Sequence, residues 1–125
     1  MTEKRRHPRY SCSVKTNFDY YEGNPSEIDT EITVPRKGKG LILDISQSGM
    51  FMVSDERVSI GLPVRVSFSL KKGKYSPMGR IVRTGMLKNN PSEVAQKFSR
   101  FSSKGDFYIA VEFDTLLPDI SEKDI

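Results

Sequence analysis

The sequence has few of the residues from which disulfides, zinc sites and membrane spans are built. Its 125 residues include one cysteine, Cys12, and one histidine, His7. A single cysteine excludes a disulfide within the chain, and one of each is too few for a Cys/His zinc site. The longest apolar runs, such as residues 41–43, are far shorter than the roughly 20 residues that cross a bilayer. We therefore expect no metal, no cofactor and no membrane insertion.

The sequence also lacks a recognisable catalytic set. No Ser-His-Asp, HExxH or phosphate-loop pattern includes His7, which is expected to be a solvated residue of a charged arm. The first residues are basic, but no apolar segment follows them, so a secretory leader is not predicted. These observations favour a cytoplasmic protein that is not an enzyme.

The charge that is present is distributed in blocks. There are 20 Lys and Arg residues against 16 Asp and Glu, a net charge of +4. Residues 1–10 carry +3, residues 11–31 carry −4, residues 32–105 carry +10 and residues 106–125 carry −5. The basic excess is therefore local, and the useful question is where on the fold an anion would bind.

Apolar residues alternate with polar ones along most of the chain, a period typical of strands with one buried face. Six short strands are predicted, with no long helix between them, which favours an antiparallel barrel or sandwich. A long loop is expected over residues 19–39. One short helix is expected within residues 86–105, beginning at Asn90 and Pro91. The predicted strands lie within residues 12–18, 40–44, 50–53, 64–70, 79–84 and 107–113.

Two constellations could carry chemistry, and the first is the basic arm at residues 4–9. Guanidinium groups pair with phosphate through two bonds, present paired donors to guanine and stack on base faces. Pro8 disfavours helix at His7, so Arg5 and Arg9 lie in an extended or turn-like stretch. The alternative is a solvated basic tail that only aids solubility.

The second constellation is the turn predicted between two strands at residues 44–49. Asp44 and Ser46 can bond nearby backbone amides, and Gly49 can adopt a positive φ angle. These are ordinary turn residues, and a purely structural turn is the alternative interpretation. The functional interpretation is that the Asp44 carboxylate accepts hydrogen bonds from a guanine base.

Taken together, Arg5-x-x-x-Arg9 and Asp44-x-Ser46-x-x-Gly49 resemble the PilZ domain family, whose hallmarks are an RxxxR stretch and a D/NxSxxG motif. Residues 79–83 and 108–113 look like later strands of that family, in the expected order. The resemblance covers about residues 4–117. It implies a six-stranded β-barrel that binds the bacterial second messenger cyclic di-GMP.

The resemblance also implies a role for each matching residue. Arg5 and Arg9 would grip guanine and phosphate groups, while Asp44 and Ser46 would meet a guanine and its surroundings. Gly49 would shape the turn. Three further residues are candidates beside the motifs: Lys4 and Arg6 for phosphate contacts, and Arg83 for stacking on a base.

The expected organisation is a mobile N-terminal arm over residues 1–11, a barrel over residues 12–117 and a short tail over residues 118–125. The working hypothesis is an adaptor whose arm is ordered over the barrel by the ligand, creating a surface for an unidentified downstream protein. Two alternatives stay open: a small basic barrel that binds nucleic acid, which the acidic flanking blocks disfavour, and a PilZ-like interaction module without a ligand. Stoichiometry, with one or two ligand molecules, is not predicted.

Overall fold

A computed structural model describes residues 7–89, 107–118 and 120–125. These residues form seven antiparallel strands and two single-turn 3-10 helices. Lys4, Arg5 and Arg6 lie outside the described residues. The helix predicted to begin at Asn90 also lies outside them. The strands are β1 (Tyr10–Tyr20), β2 (Arg36–Ile45), β3 (Gly49–Ser54), β4 (Pro63–Leu70), β5 (Gly73–Tyr75), β6 (Met78–Met86) and β7 (Phe107–Phe113), and the 3-10 helices span Leu87–Asn89 and Glu122–Asp124.

Six of the strands close into a barrel. The order is β1-β2-β3-β7-β6-β4, and β4 pairs back onto β1. The short strand β5 adds to the edge of β4, where Phe68 pairs with Tyr75. The predicted all-β, six-stranded barrel is therefore confirmed. Strand β5 was missed because three residues are too few to show a period.

Strand β4 shows how alternation builds the core. Val64 and Val66 are fully buried, whereas Arg65 on the opposite face is exposed. Burying a side chain of this size contributes about 1.5–3 kcal/mol relative to leaving it in water. The largest fully buried side chains come from all six barrel strands and are Phe18, Ile42, Ile45, Met52, Val64, Val66, Ile81 and Ile109.

The predicted loop over residues 19–39 is too long at both ends. Strand β1 continues to Tyr20 and pairs there with Arg36, the first residue of β2. Gly38, a glycine within the predicted loop, instead lies in β2 and makes room for a core ring. A Cβ at Gly38 would lie only 2.5 Å from the Phe18 ring. The loop itself is residues 21–35.

Within the described part of the chain, none of the helices has the length and apolar character needed to span a membrane.

Candidate functional site

The turn between β2 and β3 is held by its own backbone and hydroxyl groups. The Ser46 amide donates to the Gly49 carbonyl at 2.9 Å, and the Ser48 amide donates to the Ser46 hydroxyl at 3.2 Å. The same hydroxyl lies 3.4 Å from the Gly49 carbonyl oxygen, to which it can donate. Ser46 is only 3% exposed. The structure thus makes Ser46 a residue that positions the turn.

Gly49 is needed for a different reason from the one expected. Its φ angle is not positive; within the described residues the glycines with positive φ are Gly23, Gly61 and Gly73. Gly49 instead begins strand β3, directly against β7. A Cβ at this position would collide with the carbonyl oxygen of Val111. The close approach of two strands, rather than turn geometry, therefore requires glycine here.

Neighbouring segments brace the turn from outside. The Phe113 amide at the end of β7 donates to the Ser48 carbonyl at 2.8 Å. Gln47 and Leu117 exchange two bonds, because the Leu117 amide donates to the Gln47 carbonyl at 2.8 Å and the Gln47 side-chain amide donates to the Leu117 carbonyl at 3.0 Å. Ser46, Gln47 and Ser48 are therefore all held by hydrogen bonds. A turn held in this way keeps the neighbouring Asp44 in one position.

Asp44 lies at the entrance to this turn and faces the start of the chain's described part. Because Ser11 pairs with Asp44 across β1 and β2, the preceding Arg9 is carried to the same end of the sheet. A guanidinium nitrogen of Arg9 lies 3.8 Å from a carboxylate oxygen of Asp44. The Arg9 side chain is 48% exposed and that of Asp44 is 19% exposed. The structure therefore brings together one residue from each sequence motif.

The pKa of the Cys12 thiol depends in part on the charge of Asp44. Burial of the thiol, with a smaller contribution from the nearby Asp44 carboxylate, raises the pKa of Cys12 from its ordinary 9.0 to about 11. The thiol lies 3.5 Å from the Ile42 carbonyl oxygen, to which it donates. Cys12 is therefore a neutral thiol at physiological pH, as expected for a residue that packs rather than reacts.

Strand pairing places Asp44 and Arg83 in one row on the outer surface of the barrel. Asp44 pairs with Phe51, Phe51 with Ala110, and Ala110 with Arg83, across β2, β3, β7 and β6. Directly paired residues point to the same face of a sheet, and strands lie about 4.8 Å apart, so the two ends of the row are separated by at most about 14 Å along the surface. Arg83 is exposed, and Ala110 leaves a low point between the larger side chains.

An aromatic pair that includes Phe51 of this row was not predicted as part of the site. The rings of Phe51 and Tyr108 are stacked, with centroids 5.8 Å apart and an interplanar angle of 12°. The Tyr108 ring lies over Gly85, whose added Cβ would approach it to 3.1 Å. Neither ring belongs to a sequence motif, and the pairing of β3 with β7 that brings them together has no local signal.

The surface thus combines an acceptor carboxylate, a partly exposed guanidinium, a second arginine and a half-buried aromatic pair. Such groups suit a ligand that has hydrogen-bond donors, flat rings and negative charge. In the described residues, no group of three or more His, Cys, Asp or Glu residues is placed to hold a metal ion.

Known proteins resemble this chain chiefly in fold. Among solved structures, the Bacillus subtilis inhibitor of motility, MotI/DgrA, matches with a TM-score of 0.58 and 13% identity, covering 93% of this chain and 45% of that one. The PilZ domain of YcgR from Escherichia coli, solved with c-di-GMP, matches with a TM-score of 0.53 and 10% identity, covering 90% and 79%. The chain thus spans less than half the length of MotI/DgrA.

Structural similarity at such low sequence identity shows only the fold. The family assignment therefore rests on sequence comparison. A search of curated proteins finds no match. The family model for the PilZ domain, however, matches residues 3–123, nearly the entire chain and both motifs. The chain belongs to the PilZ domain family.

Proposed function

We propose that this protein is a cyclic di-GMP receptor that acts as an adaptor and not as an enzyme. The observation that carries the proposal is the contact between Arg9 and Asp44, since it joins the two sequence motifs at one braced turn. Membership of the PilZ family supports the ligand, as does the fold shared with the YcgR domain solved with c-di-GMP. The proposed setting is the bacterial cytoplasm.

In this proposal Asp44 recognises the base. An ionised carboxylate only accepts hydrogen bonds, and guanine offers N1–H and N2–H₂ as adjacent donors. Ser46 acts indirectly by fixing the turn, and Gly49 lets β3 lie close enough to β7. Arg83 and Phe51, which lie in the same surface row as Asp44, are placed to contact a ring of the ligand.

The arginines of the arm neutralise the phosphates. Arg9 is half exposed and can turn from Asp44 toward a phosphate without leaving the barrel end. Arg5, with Lys4 and Arg6 beside it, supplies the remaining positive charge. A partly exposed ion pair such as Arg9–Asp44 contributes only about 0–1 kcal/mol, whereas charge-assisted ligand contacts contribute about 1.5–3 kcal/mol each. The internal contact is therefore weak enough for a ligand phosphate to replace it.

Ordering of the arm is the proposed output. Four like charges within residues 4–9 repel one another until the ligand's two phosphates neutralise them. Binding then holds the arm across the barrel end and creates a surface that a downstream protein recognises. The shift is limited by the ligand's differential affinity for the ordered state.

Calorimetric titration tests the proposal. Purified protein is titrated with cyclic di-GMP, GTP and GMP in separate experiments. We expect saturable heat with cyclic di-GMP and much weaker binding of the two mononucleotides, since neither has two guanines joined through phosphates. Absence of heat with cyclic di-GMP at about 50 micromolar, a range in which an affinity near −6 kcal/mol is detectable, overturns it.

Two variants and one control assign the site. Asp44→Ala and Arg9→Ala are each expected to weaken binding by about 1–3 kcal/mol, through loss of a charge-assisted or bidentate contact. Arg36→Ala is the matched control. Arg36 forms a similar surface ion pair with Glu22 at 3.3 Å, but lies eight residues from Asp44 along β2, roughly 26 Å away. Unchanged affinity in both site variants, or an equal loss in Arg36→Ala, refutes the site.

A further inference from the structure

A groove opens on the other side of β1 from Asp44. Strand β1 pairs with β4 only over Thr16–Tyr20, and its first half pairs with β2 alone. Phe68, the last β4 residue that pairs with β1, also pairs with Tyr75 of β5 on its other edge. Beyond Phe68, β4 is no longer paired with β1, and an open groove of about 530 Å³ lies between β1 and the β4–β5 hairpin. A volume of this order is typical of sites that take small ligands.

The floor of the groove is apolar and largely aromatic. The rings of Phe68 and Tyr75 stack with centroids 5.6 Å apart and an interplanar angle of 22°. Val14 lies in the opposite wall and packs against the core. The outer wall is fixed because the hydroxyls of Ser67 and Ser76 lie 3.2 Å apart, within hydrogen-bond distance. The groove therefore results from the arrangement of the strands and from contacts among the side chains that line it.

The rim of the groove is positive and rich in donors. Lys15 stands on the β1 wall and Lys74 on the β5 wall, and both are exposed. Neither forms an ion pair with another described residue, in contrast to Lys37, which pairs with Asp19, and Lys72, which pairs with Asp124.

Neutral donors complete the rim, and carboxylates are missing from it. The remaining polar residues of the lining are Ser13, Asn17, Ser67, Ser69 and Ser76. Of the described residues that line the groove, none is Asp or Glu. Two lysines in one lining, together with hydroxyl and amide donors and no lining carboxylate among the described residues, form an environment that favours an anion.

We propose that this groove is a second binding site, for a phosphate-bearing ligand of about nucleotide size. Lys15 and Lys74 bind the phosphate from opposite walls, the serine hydroxyls donate to its oxygens, and the Tyr75 ring contacts the remainder of the ligand. The groove shares no residue with the Asp44 surface. The phosphate is either that of a free nucleotide or that of a nucleic-acid backbone, which have the same chemistry at this site.

Heteronuclear NMR separates these sources and tests the site. Isotope-labelled protein is titrated in about 0.15 M salt, where exposed charges are well screened, with uridine diphosphate and, separately, with a ten-nucleotide thymidine oligomer. We expect saturating amide shifts at residues 13–17, 67–69 and 74–76 with at least one of the probes. A tighter and steeply salt-dependent response to the oligomer identifies a nucleic-acid backbone, and an equal or stronger response to the diphosphate identifies a free nucleotide.

Two double variants test whether Lys15 and Lys74 are the residues that bind the phosphate. Lys15→Gln with Lys74→Gln is expected to weaken binding of the responding probe at least about tenfold, because both phosphate contacts are lost. The control, Lys39→Gln with Lys88→Gln, removes the same charge from exposed positions outside the groove and should bind nearly as well as the parent. No saturating shift with either probe, or equal weakening by the two variants, overturns the proposal. Because the site lies apart from Asp44, cyclic di-GMP binding is expected to be unaffected by both variants.

Discussion

Asp44 influences two neighbours at the residue scale, and only one of them was suggested by the motifs. Its contact with Arg9 follows from the resemblance, which assigns both residues to one ligand. Its effect on the Cys12 thiol follows from packing, because β1 and β2 pair at this end of the sheet. The thiol therefore serves as a natural reporter of the charge at residue 44.

Cys12 is expected to react slowly with alkylating reagents. A pKa of about 11 rather than 9.0 lowers the thiolate fraction at neutral pH about 100-fold, and the thiolate is the reactive form. Asp44→Asn removes the coulombic contribution and is expected to raise the alkylation rate, while burial keeps it below that of an exposed cysteine. The rate is measured by mass spectrometry with iodoacetamide. A rate in the parent equal to that of a small thiol would contradict the account.

Gly49→Ala is expected to lower the free energy of unfolding by about 1–3 kcal/mol, the usual cost of forcing extra atoms into a packed site. The added Cβ meets the Val111 carbonyl oxygen, which is backbone and cannot turn aside. Urea denaturation followed by circular dichroism measures the change. Ser11→Ala, on the exposed face of β1, is the control and should be nearly neutral. If the two variants unfold at the same urea concentration, glycine is not required by strand approach.

At this scale the motifs indicated Asp44 and Arg9, which the structure brings into contact and whose role toward a ligand stays a prediction, but they did not indicate the reason for Gly49. Motif spacing is local and can be read directly. The approach of Val111 to Gly49 joins residues 62 positions apart and has no local signal. The stacking of Phe51 on Tyr108 also joins residues far apart in the sequence and has no local signal.

At the scale of elements, residues 120–125 contact the turn of the β4–β5 hairpin, and we call these contacts the C-terminal clasp. The Lys71 amide donates to the Asp124 carbonyl at 2.9 Å, and Lys72 forms an ion pair with the Asp124 carboxylate at 3.4 Å. The other carboxylate oxygen accepts from the Ser121 amide at 2.7 Å. Ile120, 5% exposed, packs into the hydrophobic core.

The C-terminal clasp predicts a pH dependence of stability. The hydrogen bond from the Ser121 backbone, assisted by Lys72, lowers the pKa of Asp124 below its ordinary 3.8. A group whose pKa is lower in the folded state stabilises the protein above its unfolded pKa, and that stabilisation is lost as pH falls through the folded pKa. Asp124→Asn should therefore be less stable than the parent at about pH 6, and the difference should shrink by about pH 3.

Urea midpoints of both proteins at the two pH values provide the measurement. Asp114→Asn is the matched control, since Asp114 is exposed and forms no ion pair with another described residue. A difference between parent and Asp124→Asn that stays constant over this range would show that the Asp124 charge does not contribute.

The elements themselves were largely predictable, and their ends were not. Alternation in β4 and β7 is local, so both strands were predicted almost to their bounds. The extension of β1 and β2 beyond residue 18 and before residue 40 depends on their pairing and on the Phe18 ring beneath Gly38. Tertiary contacts therefore outweighed the loop signals of glycine and charge.

At the scale of the whole molecule, barrel closure separates two surfaces. The row from Asp44 to Arg83 crosses β2, β3, β7 and β6, whereas the groove lies where β1 parts from β4 and β5. Alternation predicted a barrel or sandwich, and the family resemblance selected the barrel. The row itself depends on register, including irregularities in pairing near Leu43 and Val82 that no periodic pattern reveals.

The central claim is that cyclic di-GMP binds at the Asp44 end of this row. An NMR titration of the labelled protein with cyclic di-GMP tests it most directly, because each amide reports its own surroundings. The account predicts saturating shifts at residues 44–49, Phe51 and Arg83. Shifts confined to the groove, or no saturable shifts at about 100 micromolar ligand, where even a weak affinity near −5.5 kcal/mol is visible, would contradict it.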